Sequence, residues 1–296
     1  MKLNTTRLLI ILVVLVGVFA IVKLTQNTGR SSSFKTELVN FEPDLATQIK
    51  IKSPGQEVEL KKNGDTWQVE TAQGTKTALE GNVSTLLSTL NTIQPSRLAG
   101  RDPSKWKDFS VDSSGTQIQV YGGNELLSDI IIGRFGVEGQ RSFYTYVRLA
   151  DDEDVYVADN FMKMSISTSP NDFRNNILAR VNKDSLTAIA FNYPDSAVIL
   201  NKQEGRWMKG MMAADSAATA KYLNNLSIVS SKNFSTPSTL LNPEMNVTFS
   251  LSSGKEIQIS AYREEEQWIF TSSENTEEAW HDPALLNKLF VASSQF

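Results

Sequence analysis

The sequence has no cysteine, a single histidine and no run of basic residues. Without cysteine there is no disulfide, no thiolate metal site, no cysteine nucleophile and no lipid attached through an N-terminal cysteine. The absence is compatible with an oxidising compartment without proving one. His281, in Trp280-His281-Asp282-Pro283, has no second histidine to form a metal-binding pair, and no Gly-x-Ser-x-Gly elbow accompanies it. It is expected to be a surface or strand-end residue rather than a general base. The 33 acidic and 29 basic residues are interspersed and leave a net charge of −4, so nothing is placed to neutralise a run of phosphates and nucleic acid is not an expected partner. Gly81, Gly100 and Gly115 are isolated, and Gly133-Arg134-Phe135-Gly136 fits neither a Walker loop nor a dinucleotide fingerprint. No cofactor is expected, and no catalytic, cofactor-binding or metal-ligating residue is assigned.

Two acidic runs are present, Asp151-Asp152-Glu153-Asp154 and Glu264-Glu265-Glu266. Neither has the alternating oxygen ligands around a glycine turn that calcium requires, so both are expected to be solvated charges at hairpin ends. A pair of carboxylates for glycoside hydrolysis is set by folding rather than by sequence distance and therefore stays open.

Leu8 to Val22 is a fifteen-residue run without charge, preceded by Lys2 and Arg7 and followed by Lys23. It reads as a membrane-inserting signal anchor over 8–25, with Lys23 snorkelling so that Leu24 and Thr25 extend the span. A cleaved signal peptide is the competing reading, but Ala20 is followed by Ile21, Val22 and Lys23, which do not make a small-x-small site. Residues 1–7 are then a cytoplasmic tail, and the bulk of the chain lies outside the bacterial cytoplasmic membrane. Residues 26–40, polar and small at their start, read as a flexible tether.

With 296 residues and 40% hydrophobic content, the rest of the chain can form about two domains. It contains an internal repeat. Asp44-Leu45-Ala46-Thr47-Gln48-Ile49 aligns with Asp184-Ser185-Leu186-Thr187-Ala188-Ile189 at an offset of 140 residues, and the same offset brings Leu60 onto Leu200 and Trp67 onto Trp207. Each copy opens with alternating strands, a glycine turn and a strand beginning at tryptophan. A one-sided helix follows, carried by Val83, Leu86, Leu87, Leu90 and Ile93 in the first copy and by Ala220, Leu223, Leu226 and Val229 in the second. Asp215 is expected to cap the second helix. Strands return at Gln117–Tyr121 and Asp129–Ile132, and at Asn246–Leu251 and Glu256–Ile259. The closing strands, Ser142–Leu149 and Asp154–Val157, have shorter counterparts at Gln267–Thr271 and Glu278–His281. The expected fold is α+β: two tandem copies, 41–178 and 179–296, each an antiparallel sheet packed by one helix. Trp67 and Trp207 are expected to be packing anchors, because both copies must pack while only one need bind.

The residues Gly64 and Trp67, Ala214-Asp215, Leu86-Leu87 and Leu90, Ile132-Gly133, Tyr146-Val147-Arg148, Val155-Tyr156-Val157 and the junction Asp172-Phe173-Arg174-Asn175-Asn176-Ile177-Leu178 resemble the bacterial family known as domain of unknown function 4340. The first helix departs from that pattern, with Thr77-Ala78-Leu79-Glu80 in place of Ala-Asp. The resemblance implies an N-terminally anchored envelope protein of a family that accompanies gliding-motility-type ABC transport components, and it carries over no catalytic residue. The expected function is that of a non-enzymatic, membrane-anchored extracytoplasmic binding or scaffold protein, with an ABC transporter as a candidate partner. The alternative is an envelope protein that binds or hydrolyses cell-wall glycan through acidic residues.

Overall fold

The structure, a computed structural model, describes residues 34–139, 142–236, 242–291 and 296. The expected anchor at 8–25 lies outside the described residues. Among them, no helix is long and apolar enough to cross a membrane.

The first sheet has nine strands: β1 (Gln48–Ser53), β2 (Gln56–Asn63), β3 (Thr66–Thr71), β4 (Gly74–Thr77), β5 (Pro95–Gly100), β6 (Thr116–Gly122), β7 (Glu125–Glu138), β8 (Ser142–Leu149) and β9 (Val155–Asp159). Their order is β4-β3-β2-β1-β6-β7-β8-β9-β5, every pairing antiparallel. A period of two puts Ile49 and Ile51, Val58 and Leu60, Trp67 and Val69, and Ile118 and Val120 on one face, where all are buried. Helix α1 (Glu80–Asn91) covers that face with Val83, Leu86, Leu87 and Leu90. Short helix α2 (Trp106–Phe109) lies against the opposite face, where Val111, Ile131 and Val155 form a small separate core beneath Trp106 and Phe109.

After a short strand β10 (Ile177–Arg180), the second sheet is built from β11 (Leu186–Tyr193), β12 (Ser196–Gln203), β13 (Arg206–Lys209) and β14 (Met212–Ala213). Helix α3 (Ser216–Asn224) follows, then β15 (Ile228–Ser230), β16 (Phe234–Ser235), β17 (Met245–Leu251), β18 (Glu256–Glu264), β19 (Gln267–Ser272), β20 (Ala279–Trp280) and helix α4 (Pro283–Leu289). The order β14-β13-β12-β11-β17-β18-β19-β20-β16 repeats that of the first sheet strand for strand, while β10 and β15 pair separately. The registers repeat too. Ile49 faces Leu60 as Ile189 faces Leu200, and Lys62 faces Trp67 as Lys202 faces Trp207. The described residues thus form an α+β protein of two large antiparallel sheets with four helices. As expected, the closing strands β19 and β20 are shorter than β8 and β9.

Trp67 is buried in the first core and Trp207 is half-buried against the second, so both pack. In each copy the carbonyl of that tryptophan accepts from an alanine amide, Ala78 at 2.8 Å and Ala214 at 2.9 Å. The Ala-Asp helix start missing from the first copy is therefore matched in space by Ala78-Leu79. Asp215 caps α3 through the Ala218 amide at 2.8 Å, whereas α1 starts at Leu79 without a side-chain cap.

Three expectations need correction. The second helical stripe is shorter than its spacing predicts: α3 ends at Asn224, Ala220 is exposed, and Thr219, Tyr222 and Leu223 are the buried residues. Leu226 and Val229 are buried from outside the helix, Val229 from β15, because the chain turns at Asn225 and extends. Ile93 is likewise buried just beyond α1. The tether does not reach residue 40: Leu38 and Val39 are buried in the first core, Phe34 meets the ring of Tyr156 edge-on, and Lys35 is paired with Asp152 at 2.8 Å. The expected boundary between 178 and 179 falls inside β10, so the junction is itself a structured element.

Candidate functional site

The junction segment resembles no part of either sheet, and its side chains and backbone hold the two units together. Pro170–Asp172 is a single turn that ends in Phe173, fully buried in the first core. The Phe173 carbonyl accepts from the Leu79 amide at 2.7 Å, and the Asp172 carbonyl accepts from the Asn82 side chain at 2.7 Å. The junction thus satisfies the amide of Leu79 at the start of α1, which no side chain caps. The next residue, Arg174, crosses to the second unit. Its Nε donates to Glu278 Oε1 at 3.0 Å, its Nη2 donates to Glu278 Oε2, and its Nη1 donates to Asn171 Oδ1 at 3.0 Å, with the guanidinium 3.7 Å from the Phe234 ring centroid. The side chains of Arg174 and Glu278 are 5% and 2% exposed, so this is a fully desolvated, bidentate pair.

Further bonds run the same way. The Asn275 side chain donates to the carbonyls of Asn175 and Ile177, and Ser272 Oγ donates to the Leu178 carbonyl. From the first unit, the Thr77 amide donates to Glu277 Oε2 at 3.0 Å and Lys76 Nζ to the Glu277 carbonyl at 2.6 Å. Lys232 pairs with Asp172 at 3.0 Å. Beside these contacts lies a groove of about 680 Å³, walled by the β2–β3 turn and the start of α1 on one side and by Asn175, Ile177, Arg180 and Glu274 on the other. Its volume is within the range of ligand clefts, and its walls mix polar and apolar surface.

The residues weighed for chemistry are dispersed. His281 follows β20 and is half-buried, with Nδ1 3.2 Å from the Trp268 carbonyl and its amide donating to Asn233. Glu265 and Glu266 are the tip of the β18–β19 hairpin, Glu265 having a positive φ of 55°. The run 151–154 links β8 to β9. There Asp152 faces Lys35 and the Asp154 amide, and Asp154 lies 3.7 Å from Arg101. Among the described residues no group of three or more acidic or histidine side chains is placed to hold a metal ion.

The carboxyl groups of Glu59, Asp102, Asp112 and Asp152 are each held below their ordinary pKa. Burial pushes Glu59 and Asp152 up, but hydrogen bonds from Lys61 and Gln48 to the first, and from Lys35 and the Asp154 amide to the second, outweigh it. Asp102 and Asp112 are held down by bonds from Ser104 and Ser114. Glycoside hydrolysis needs a proton donor with a raised pKa, and these shifts run the other way.

Fold and junction together define a class: a protein of two sheets of like topology, locked through a structured link, with a groove at the lock. The family model described as "Domain of unknown function (DUF4340)" matches residues 76–245, more than half of the chain, and the chain belongs to that family. The match begins in β4 and ends at the first residue of β17, so it spans the junction. No curated protein and no solved structure is matched.

Sequence reasoning placed Arg174 in the junction motif but missed its partner. The pair is separated by 104 residues, and no local signal marks Glu278.

Proposed function

We propose that this chain is a non-enzymatic scaffold, anchored by its N-terminal segment in the bacterial cytoplasmic membrane, that presents two fixed sheet units on the extracytoplasmic side to a membrane protein complex such as an ABC transporter. The observation that carries this reading is the junction. A buried ion pair and a set of crossed hydrogen bonds hold the two units as one surface, and the groove beside them opens to solvent. A linker between independently working modules needs no such lock. Supporting it, the β13–β14 hairpin carries Met211 and Met212 at 98% and 72% exposure, where the register of the first unit has Gln73 and Gly74. Exposed methionines are adaptable contact residues.

The test is in-cell photo-crosslinking of the full-length protein in its native membrane, with the probe placed at Met211, at Thr66 in the groove, or at Gln203 as a control. Reproducible capture of one integral membrane protein from Met211 or Thr66, and not from Gln203, supports the scaffold reading. Capture of glycan fragments alone transfers support to the cell-wall alternative, and equal capture from all three positions removes the basis for either surface.

A further inference from the structure

The face of the first sheet that points away from α1 carries a row of four side chains set directly opposite one another on neighbouring strands: Lys52 on β1, Gln117 on β6, Ile131 on β7 and Arg148 on β8. This row floors a cavity of about 440 Å³, roofed by Trp106 and by the turn from Asp112 to Gly115. The roof can close because the backbone beneath it is glycine. A Cβ at Gly133 would fall on the Phe109 carbonyl oxygen and 2.7 Å from Val111, and one at Gly115 would lie 2.6 Å from the Ser110 carbonyl oxygen.

Arg148 is buried, at 5% exposure. Nε donates to the Val111 carbonyl at 3.2 Å, and Nη1 to the carbonyls of Leu149, Ala150 and Asp152, with the guanidinium 3.8 Å from the Trp106 ring. These acceptors are neutral. They satisfy donors without balancing the charge, and Nη2 makes none of these bonds. Asp129, Asp151 and Asp152 act on the guanidinium only from beyond ion-pair distance, and two of them have other partners: Asp129 accepts from Gln117 and Gln119 at 2.8 Å each, and Asp152 pairs with Lys35. Among the described residues Arg148 forms no ion pair with a carboxylate. Lys52 adds a second cation at the rim, shared with exposed Glu57 at 3.5 Å, and Asp112 adds one acid to the wall, its Oδ1 held by Ser114.

The second unit supplies an internal comparison. Its row in the same register is Asn192, Asn246, Ser260 and Thr271, all neutral, with Asn192 bonded to Asn246 at 2.8 Å. The same strand order therefore forms without an arginine or a lysine at these positions. We infer that the Lys52–Arg148 cavity is a binding site for a small carboxylate-bearing molecule, whose anionic group supplies the direct ion-pair partner that Arg148 does not have among the described residues. With Asp112 on the wall and Asp129 and Asp151 acting from further off, a ligand of a single negative charge is favoured over a multiply charged one, and the carbonyls that hold Nε and Nη1 orient the guanidinium before any ligand arrives.

The experiment is a titration of the full-length protein in non-ionic detergent at constant ionic strength, with acetate, inorganic phosphate and chloride in separate arms, following the indole N–H resonance of Trp106 and the Nε–H of Arg148. Saturable shifts of both resonances with acetate, weakened about tenfold by Lys52→Glu and unchanged by the distant Lys183→Gln, are the expected result. Saturation by phosphate and not acetate overturns the assignment to carboxylates. Absence of saturation in every arm, or an acetate affinity that Lys52→Glu leaves unchanged, overturns the site and leaves Arg148 as a clamp for the β8–β9 loop. Lys52 is exposed, so its replacement does not put folding at risk.

Discussion

Replacing Glu278 with alanine removes the carboxylate facing Arg174 and leaves the guanidinium in place. Asn171 and the Phe234 ring hold Arg174 from two other directions, so it cannot turn to water without losing them. Removing one partner of a buried pair costs about 3–5 kcal/mol, because the remaining charge stays desolvated and unpaired. The contact with Phe234 persists and offsets about 0.5–2 kcal/mol of that. The expected loss is therefore about 3 kcal/mol, a large share of the stability of a typical domain. Joint replacement, Arg174→Met with Glu278→Leu, removes both charges and their desolvation cost, and should lie within about 1 kcal/mol of the wild type or above it. Urea unfolding of the full-length protein in non-ionic detergent measures both variants. Far-ultraviolet circular dichroism reports the whole chain; with Trp67, Trp106, Trp207 and Trp268 each replaced by phenylalanine in the reference and in the variants, tryptophan fluorescence reports Trp280, fully buried two residues from Glu278. With the pair intact the two signals should change together, and in Glu278→Ala they should separate as the units uncouple. A single variant within about 0.5 kcal/mol of wild type, or a double variant less stable than the single one, would refute the view that this pair locks the junction.

Gly133→Ala forces a Cβ onto the backbone of α2 and should cost about 1–3 kcal/mol by thermal unfolding, with an altered Trp106 resonance as its local signature. Leu90→Ala, in the first core, should cost about 2–5 kcal/mol, whereas Ala220→Lys, on the exposed side of α3, should change stability by less than about 0.5 kcal/mol. Asp215→Ala removes the cap of α3 and should cost about 1 kcal/mol. The contact between Lys35 and Asp152 should depend on pH at both extremes. The Asp152 pKa is depressed, so its share of stability is complete above the unfolded value and lost as pH falls below about 4. The Lys35 pKa is raised, chiefly by its hydrogen bond to Asp152, so its share is lost as pH climbs past about 10.4. Amide exchange at residues 34–39 should accelerate at both ends of the range, and uniform protection from pH 3 to 11 would contradict the contact.

The repeat was legible because both units reuse the same inward residues at the same register, and burial constrains those residues most. The 140-residue offset holds through Trp67 and Trp207 and then slips, since Ala78 matches Ala214 and Ile118 matches Val247 in space. The segment around α2, which has no counterpart among the elements of the second sheet, accounts for much of the later slip, and periodicity cannot place an unrepeated segment. The helix start at Leu79 was obscure because its amide is satisfied by a backbone carbonyl 94 residues away in sequence and no side chain caps the helix locally. Ala220 misled for a simpler reason: at alanine, an apolar stripe and a neutral surface look alike. The junction groove and the Lys52–Arg148 row were invisible to sequence reasoning because each is assembled from register. Only known strand pairings place Lys52 in one row with Arg148.

The contrast between the two units separates what packing explains from what it does not. Rows facing the helices keep their apolar character in both: Ile51, Ile118 and Ile130 lie in register in the first sheet as Phe191, Val247 and Ile259 do in the second. Burial alone explains that agreement. The outward rows diverge, and drift on a solvated face would produce the neutral row of the second unit. It would not produce a guanidinium buried to 5% under a tryptophan, since a desolvated charge without a direct ion pair destabilises the fold that carries it. The second unit shows that the topology forms without that arginine. The same reasoning holds at the junction, where two opposite charges are desolvated at a position that apolar residues of similar volume would fill at least as well. Arg148 stands where the duplicate unit has a neutral residue, while Arg174 stands in a junction that has no duplicate, and these are the two positions at which a contact with another molecule should first be sought.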